Sequence, residues 1–219
     1  MNQFAAIFDM DGVICHTNPF HAKAFERFFD KYKIPYTEKE FEEHMYGKHN
    51  SYIMTHFFKR AIEGAELKEL EDEKEALFRE IYQPEIVPLP HYLTFLNNLK
   101  SAGFKTGVAT SAPLANLELI VDTLGIGDKM ESLMASEDVT LHKPHPEIYL
   151  KSAQNLDVLL SECIVFEDSF SGITAALNAG MKVVGVLSSH RKEDLPPCSF
   201  YIHDYSEVDA ERLMDLLKS

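Results

Sequence analysis

Two aspartates separated by one residue, Asp9 and Asp11, stand at the end of the apolar run Phe4-Ala5-Ala6-Ile7-Phe8 and are followed by Gly12. The run leaves no room for solvated side chains and reads as a strand buried on both faces. In an open parallel α/β sheet, ligands bind in the crevice outside the carboxyl ends of the strands, which is where these two carboxylates would emerge. Side chains two residues apart leave a strand toward the same side and converge on one small volume. Carboxylates that close repel, so they require a shared divalent cation, a shared proton, or both. Gly12 lets the backbone turn where any Cβ would collide with a ligand. A single Asp before Gly commonly does no more than cap a turn. A pair of them after a buried strand points to chemistry.

Three later strand ends carry polar clusters. A strand over 105–109 ends in Thr110-Ser111-Ala112-Pro113 with a helix directly behind it. Hydroxyls and unsatisfied N–H groups at a helix N-terminus favour an anion such as phosphate, although a plain Ser/Thr cap has the same pattern. His142-Lys143-Pro144-His145-Pro146 precedes another helix. Proline stiffens the backbone beside Lys143, which suits a fixed point charge, whereas His142 and His145 read as loop or capping residues. A strand over 163–167 ends in Glu167-Asp168-Ser169 and repeats the opening pattern. Mg²⁺ takes one or two carboxylates together with substrate phosphate, and Asp168 with Asp9 meets that requirement. Each cluster alone is weak evidence; four in chain order at strand ends are specific.

The elements that must position these residues fall into two kinds. From about 17 to 84 the apolar residues recur at helical spacing, as in Phe20, Ala24, Phe25, Phe28 and Phe29, with no β-rich run between them. The pattern predicts helices over 18–32, 38–45, 51–61 and 67–81, with their own small core. After Pro84, Pro88 and Pro90, helices over 91–102, 114–124, 146–156, 172–179 and 207–217 alternate with strands over 105–110, 132–135, 163–167, 182–186 and 199–202. Such alternation implies βαβ crossovers and a parallel sheet covered on both faces. The expected fold is therefore α/β: a Rossmann-like parallel-sheet core from 1–16 and 85–219, with an all-helical domain at 17–84 inserted after the first strand.

A chain of 219 residues suits one core domain with a smaller insertion. Its formal net charge of −14 argues against a nucleic-acid partner, whose phosphates need a basic surface. A small phosphorylated substrate is still compatible, because a metal and a lysine or two reverse the sign within a pocket. Cys15, Cys163 and Cys198 lack metal-like spacing and point to a reducing compartment. Cys15, beside the carboxylates, reads as a small packing residue. The apolar runs are too short to span a bilayer and the first residues show no leader pattern, so no membrane partner, a cytoplasmic location and a monomer are the expectations.

Phe8-Asp9-Met10-Asp11-Gly12-Val13, Thr110-Ser111, Lys143-Pro144 and Glu167-Asp168-Ser169 resemble the four signature motifs of the haloacid dehalogenase superfamily of phosphotransferases, across essentially the whole chain. The helical insertion resembles the subgroup containing β-phosphoglucomutase and many small-metabolite phosphatases. The resemblance implies that Asp9 is a nucleophile that forms an aspartyl-phosphate. Asp11 would protonate the leaving oxygen and later activate the acceptor. Mg²⁺ would be held by Asp9, the backbone carbonyl of Asp11 and Asp168, with Glu167 or Ser169 acting through water or from behind the ligands. Thr110, the backbone of Ser111 and Lys143 would hold the phosphoryl oxygens, and the helical cap would close over the site. Superfamily members that cleave carbon–halogen bonds lack a carboxylate two residues after the nucleophile, so Asp11 points to phosphoryl transfer.

Within the cap, His21 and Lys74 fall where β-phosphoglucomutase has a histidine beside the acid/base aspartate and a sugar-contacting lysine. The arginine with which that mutase grips a distal phosphate is matched by Asn50, with Lys48 and His49 beside it. Asparagine lacks the cationic fork, though Lys48 could supply charge from another direction. The expected activity is that of a Mg²⁺-dependent phosphatase for a small phosphorylated metabolite, a sugar phosphate, contacted by Ser111, His21, Lys48, Asn50 and Lys74. β-Phosphoglucomutase is the alternative, and a non-catalytic phosphometabolite-binding protein the remoter one.

Overall fold

An apolar segment without solvated side chains belongs in the middle of a sheet, and Ala5–Phe8 (β1) is fully buried there. The computed structural model describes residues 3–45 and 50–218. Besides β1 the sheet contains Lys105–Ala109 (β2), Ser132–Met134 (β3), Cys163–Glu167 (β4), Lys182–Val186 (β5) and Phe200–Ile202 (β6). All neighbours pair in parallel, in the order β3-β2-β1-β4-β5-β6. The order reverses between β1 and β4, and a crevice forms at such a switch point. Phe8 is in register with Val108 on one side and Phe166 on the other. The next residues, Asp9, Ala109 and Glu167, therefore share one level at the carboxyl edge.

The chain divides into two compact units, Thr17–Glu85 and the combination of Met1–His16 with Ile86–Ser219. Among the described residues Thr17–Glu85 is all-helical, with Asn18–Tyr32 (α1), Glu38–Met45 (α2), Asn50–Phe58 (α3) and Gly64–Tyr82 (α4). Phe25, Phe28 and Phe29 of α1 recur at helical spacing and are buried against Phe41, Ile53, Phe57 and Leu70. The ring of Phe29 lies 4.6 Å from that of Phe57. At the end of α1, Lys33 turns left-handed and the Ile34 N–H returns to the Phe29 carbonyl at 2.9 Å. The third helix stops at Phe58, short of the expected 61, because Lys59 adopts φ 55°. The fourth begins earlier than expected, at Gly64, because Ala65 and Glu66 are themselves good helix formers.

In the other unit the strands alternate with Tyr92–Ser101 (α5), Leu114–Leu124 (α6), Glu147–Leu156 (α7), Phe170–Asn178 (α8) and Ala210–Lys218 (α9). Period-two alternation sends Ile7 to a cluster with Val165, Val183, Tyr149 and Ile173. Phe8 points to the opposite face, where its ring meets Phe166 at 4.9 Å and Tyr92 at 5.3 Å. Helix α9 starts at Ala210 rather than 207, because the Asp209 carboxylate accepts the Arg212 N–H at 2.8 Å and caps it there. Among the described residues no helix is long and apolar enough to cross a membrane.

Phe8 is fully buried one residue before the first aspartate. Phe8→Ala is expected to destabilise the protein by about 3–5 kcal/mol, read as a fall in the denaturant midpoint. A loss below about 1 kcal/mol would show that this aromatic face does not carry the sheet.

Candidate active site

At the end of β1 the Asp9 N–H still bonds the Phe166 carbonyl, at 3.0 Å, so the sheet fixes this residue directly. The chain then folds into a tight turn. Val13, Ile14 and Cys15 all aim their N–H groups at the Met10 carbonyl, at 3.2, 2.8 and 3.3 Å, and the Gly12 N–H bonds the Cys15 carbonyl at 2.8 Å. Because a trans peptide is planar, holding the Gly12 N–H there turns the Asp11 carbonyl the opposite way. Gly12 has φ +73°, and a Cβ on it would stand 1.9 Å from Asp168 Oδ2. Both facts demand glycine, and the second shows how closely the turn approaches the end of β4.

Lys143 joins these strand ends. Its ammonium donates to Asp9 Oδ1 at 2.7 Å, to Glu167 Oε1 at 2.8 Å and to the Ala109 carbonyl at 3.0 Å. An ammonium has three protons, and all are used. Glu167 is fully buried. Besides Lys143, its Oε1 accepts the Tyr149 hydroxyl at 3.0 Å, while Oε2 takes the Asp168 N–H, the Ser169 N–H and the Ser169 hydroxyl, each at 2.9 Å. Ser169 Oγ in turn accepts the Gly172 N–H at 3.0 Å and caps α8, which therefore begins at Phe170 rather than 172. A Cβ at Gly172 would fall 1.5 Å from Glu167 Oε1, so this glycine makes room for the carboxylate.

The charge balance is unequal. Asp9, Asp11, Glu167 and Asp168 all act on one another here, with Lys143 as the cation among them. Burial pushes the Asp9 carboxyl well above its ordinary value; Lys143 opposes this, and Glu167, Asp11 and Asp168 add to it. Asp168 is pushed up to about 7 by burial and by Glu167, with Ser189 opposing. Burial alone would lower Lys143, but Asp9 and Glu167 outweigh it and hold the ammonium charged. Burial and Glu167 raise the Tyr149 phenol, so it stays a donor. Carboxylate oxygens of Asp9, Glu167 and Asp168 lie within 4.8 Å of one another. Hard oxygens with surplus negative charge are the donor set of a divalent cation such as Mg²⁺.

The remaining sequence candidates are placed less uniformly. Thr110 follows β2 fully buried, its N–H on the Met134 carbonyl at 2.9 Å and its hydroxyl accepting the Ala112 N–H at 3.0 Å; Ser111 is exposed. The first N–H of α6, on Leu114, goes to Glu137 Oε2 at 3.0 Å. The anion donors expected at that helix start are thus narrowed to the Thr110–Ala112 turn. His145 caps, accepting the Glu147 N–H at 3.3 Å, and Cys15 is a buried packing residue.

In the helical unit, Lys74 and Glu75 are buried; the Lys74 ammonium lies 2.8 Å from Glu75 Oε1 and 2.8 Å from His21 Nδ1. Asn50 donates its amide to the same Glu75 oxygen at 2.9 Å. The His21 ring stacks on Phe78 at 3.8 Å. Three of the proposed substrate contacts thus form one cluster, and Lys48 lies outside the described residues.

Sequence reasoning passed over Glu75, Tyr149 and the segment Ser188-Ser189-His190. The Ser188 hydroxyl donates to the Gly12 carbonyl and stands 3.4 Å from Asp168 Oδ2, and His190 Nδ1 lies 3.0 Å from the Asp168 carbonyl. A polar run directly after β5 was the available signal, by the rule that found the other strand ends.

The haloacid dehalogenase-like hydrolase family model matches residues 6–186. The chain is 30% identical to validoxylamine A 7'-phosphate phosphatase of Streptomyces hygroscopicus subsp. limoneus, over 93% of this chain and 94% of that protein. It is also 30% identical to the β-phosphoglucomutase of Bacillus subtilis, over 83% and 82%. Among solved structures, a haloacid dehalogenase hydrolase of family IA, variant 3, from Entamoeba histolytica superposes with a TM-score of 0.91 at 27% identity, over all of both chains.

The buried helical cluster sets an acid limit. Burial, then Lys74, pushes His21 down from 6.5 to about 3. Burial would raise Glu75, but Lys74 and His21 hold it down from 4.5 to about 2. Across both intervals the unfolded chain binds more protons, so stability is lost as pH falls, first from 6.5 toward 3 and then also from 4.5 toward 2. Because the raised Asp9 and Asp168 carboxyls act in the opposite sense, this contribution is read as a difference: the urea midpoint of the unaltered chain relative to that of His21→Gln is expected to fall as pH drops below 6.5. A difference that does not vary with pH would exclude His21 as its source.

Proposed function

The chain belongs to the haloacid dehalogenase-like hydrolases and is an enzyme of that type, and on that premise we propose that it is a Mg²⁺-dependent phosphatase of a small phosphorylated carbohydrate. The observation that carries this reading is the buried Asp9–Lys143–Glu167 contact with Asp168 beside it at the switch point of the sheet. In this reading Asp9, Asp168 and the backbone carbonyl of Asp11 hold the ion, and Glu167, whose oxygens already accept five donors, orients Lys143 and the Asp168 backbone. When bound, Mg²⁺ offsets the negative charge of carboxylates and phosphoryl group and polarises the latter.

An Asp9 carboxylate oxygen attacks phosphorus as the bond to the leaving oxygen breaks, and the Asp11 carboxyl gives that oxygen its proton. Water then attacks phosphorus of the Asp9 acyl phosphate and gives its proton to Asp11, the bond from phosphorus to the Asp9 oxygen breaks, and inorganic phosphate leaves with the Asp9 carboxylate restored. Lys143 keeps its charge throughout and stabilises the equatorial oxygens together with Thr110 and the Ser111 backbone. The unit 17–85 serves as the cap, with His21, Lys48, Asn50 and Lys74 as its contributors to recognition of the non-phosphorylated part.

Hydrolysis is favoured over the mutase reaction by Asn50. The amide at the mutase arginine position is spent on the buried Glu75 carboxylate. Asparagine beside a carboxylate disfavours a second phosphate, while the Lys74, Asn50 and Glu75 set of donors and acceptor suits hydroxyl groups. The relatives named validoxylamine A 7'-phosphate phosphatase and, from Thermotoga maritima, phosphorylated carbohydrates phosphatase support this reading.

With Mg²⁺ present, the protein is expected to release inorganic phosphate from members of a sugar monophosphate panel. Asp9→Asn should lower turnover by at least about a thousandfold while the melting temperature holds. Formation of glucose 6-phosphate from β-glucose 1-phosphate and trace bisphosphate, without free phosphate, would establish the mutase instead. Undiminished turnover in Asp9→Asn would reject the mechanism.

A further inference from the structure

Beyond the four strand ends that carry the chemistry, a fifth reaches the same place. The segment after β5 is anchored by the Leu187 N–H on the Ile202 carbonyl, at 2.8 Å, so it leaves the sheet from a fixed point. Two residues of it then bracket Asp168: His190 Nδ1 lies 3.0 Å from the backbone carbonyl, and Ser188 Oγ stands 3.4 Å from the side-chain Oδ2. The same Ser188 hydroxyl donates to the Gly12 carbonyl. A serine hydroxyl has one proton, so it cannot serve both acceptors at once. Ser189 supplies the complement: its hydroxyl is 3.4 Å from that of Ser188 and bonds the Asp168 carboxyl. The two serines therefore clasp the Gly12 turn to Asp168.

We propose that Ser188 is a positioning residue for the divalent cation: it fixes the Gly12 turn against the Asp168 carboxylate, so that two ligands from remote chain segments keep one spacing. This rests on the metal reading given under Proposed function. Gly12 is now held on both sides, its N–H by Cys15 and its carbonyl by Ser188. The peptide carrying the Asp11 carbonyl and the carboxylate of Asp168 are consequently locked to each other through β5, an element that supplies no ligand. Without the clasp, the Gly12 carbonyl loses this tie to the segment that holds Asp168, and the turn is fixed from its own side alone. Outer partners of metal ligands are worth about 10–100-fold in affinity.

The test is calorimetric titration of Mg²⁺ alone into the full-length chain and its Ser188→Ala and Ser188→Thr variants, with melting curves for each. Ser188→Ala is expected to bind Mg²⁺ about 10–100-fold more weakly at an unchanged melting temperature, and Ser188→Thr, which keeps the hydroxyl, to bind like the unaltered chain. Should the alanine variant unfold, Ser188→Cys, a poor donor of similar volume, should show the same weakening. Equal Mg²⁺ affinity in a folded alanine or cysteine variant would overturn the role of Ser188 alone. Absence of Mg²⁺ binding by the unaltered chain would overturn the metal reading and this inference with it.

Discussion

A single buried ammonium holds three strand ends together. Lys143 bonds Asp9 after β1, Glu167 at the end of β4 and the Ala109 carbonyl at the end of β2. Removing charges from water is costly, and a buried pair is tolerated only when its geometry is complete and the remaining polar atoms are satisfied. Here the completion is visible: Tyr149, Ser169 and two backbone N–H groups fill the other positions on Glu167. The site is thus built as one network whose members depend on one another, rather than as separate side chains projecting into a cleft.

That network still leaves negative charge in excess, which is the physical reason to connect the fold with phosphoryl transfer. One cation cannot neutralise the carboxylates of Asp9, Asp11, Glu167 and Asp168, and burial raises Asp9 and Asp168 accordingly. A divalent cation relieves the excess and at the same time makes the site attractive to a phosphate dianion. The scaffold prepares for this by close approach. Glycines at 12 and 172 stand where side chains would overlap Asp168 and Glu167. Parallel pairing sets the level of each strand end to within one residue.

Much of this was legible in the residue order. Asp9 and Asp168 could be found because carboxylates directly after a buried parallel strand emerge at the edge where ligands bind, and Lys143 because a proline stiffens the backbone beside it. The alternating pattern likewise shows the parallel sheet and the helical insertion. What was hidden depends on tertiary partners. Tyr149 reads as a core aromatic at helical spacing, and only the fold shows its hydroxyl on Glu167. Glu75 looks like one more solvated glutamate until packing buries it with Lys74 and Asn50. The stop of α3 depends on a left-handed Lys59, a residue type that gives no warning of such a turn. Ser188 and Ser189 were visible in principle but are two small residues after a strand that carries no carboxylate.

The proposed role of the carboxylate surplus at the switch point is to hold a divalent cation. Anomalous diffraction from a crystal soaked in Mn²⁺ addresses it directly. A peak is expected in contact with the carboxylates of Asp9 and Asp168 and the backbone carbonyl of Asp11. No peak there, with the Lys143 contacts to Asp9 and Glu167 intact, would contradict it.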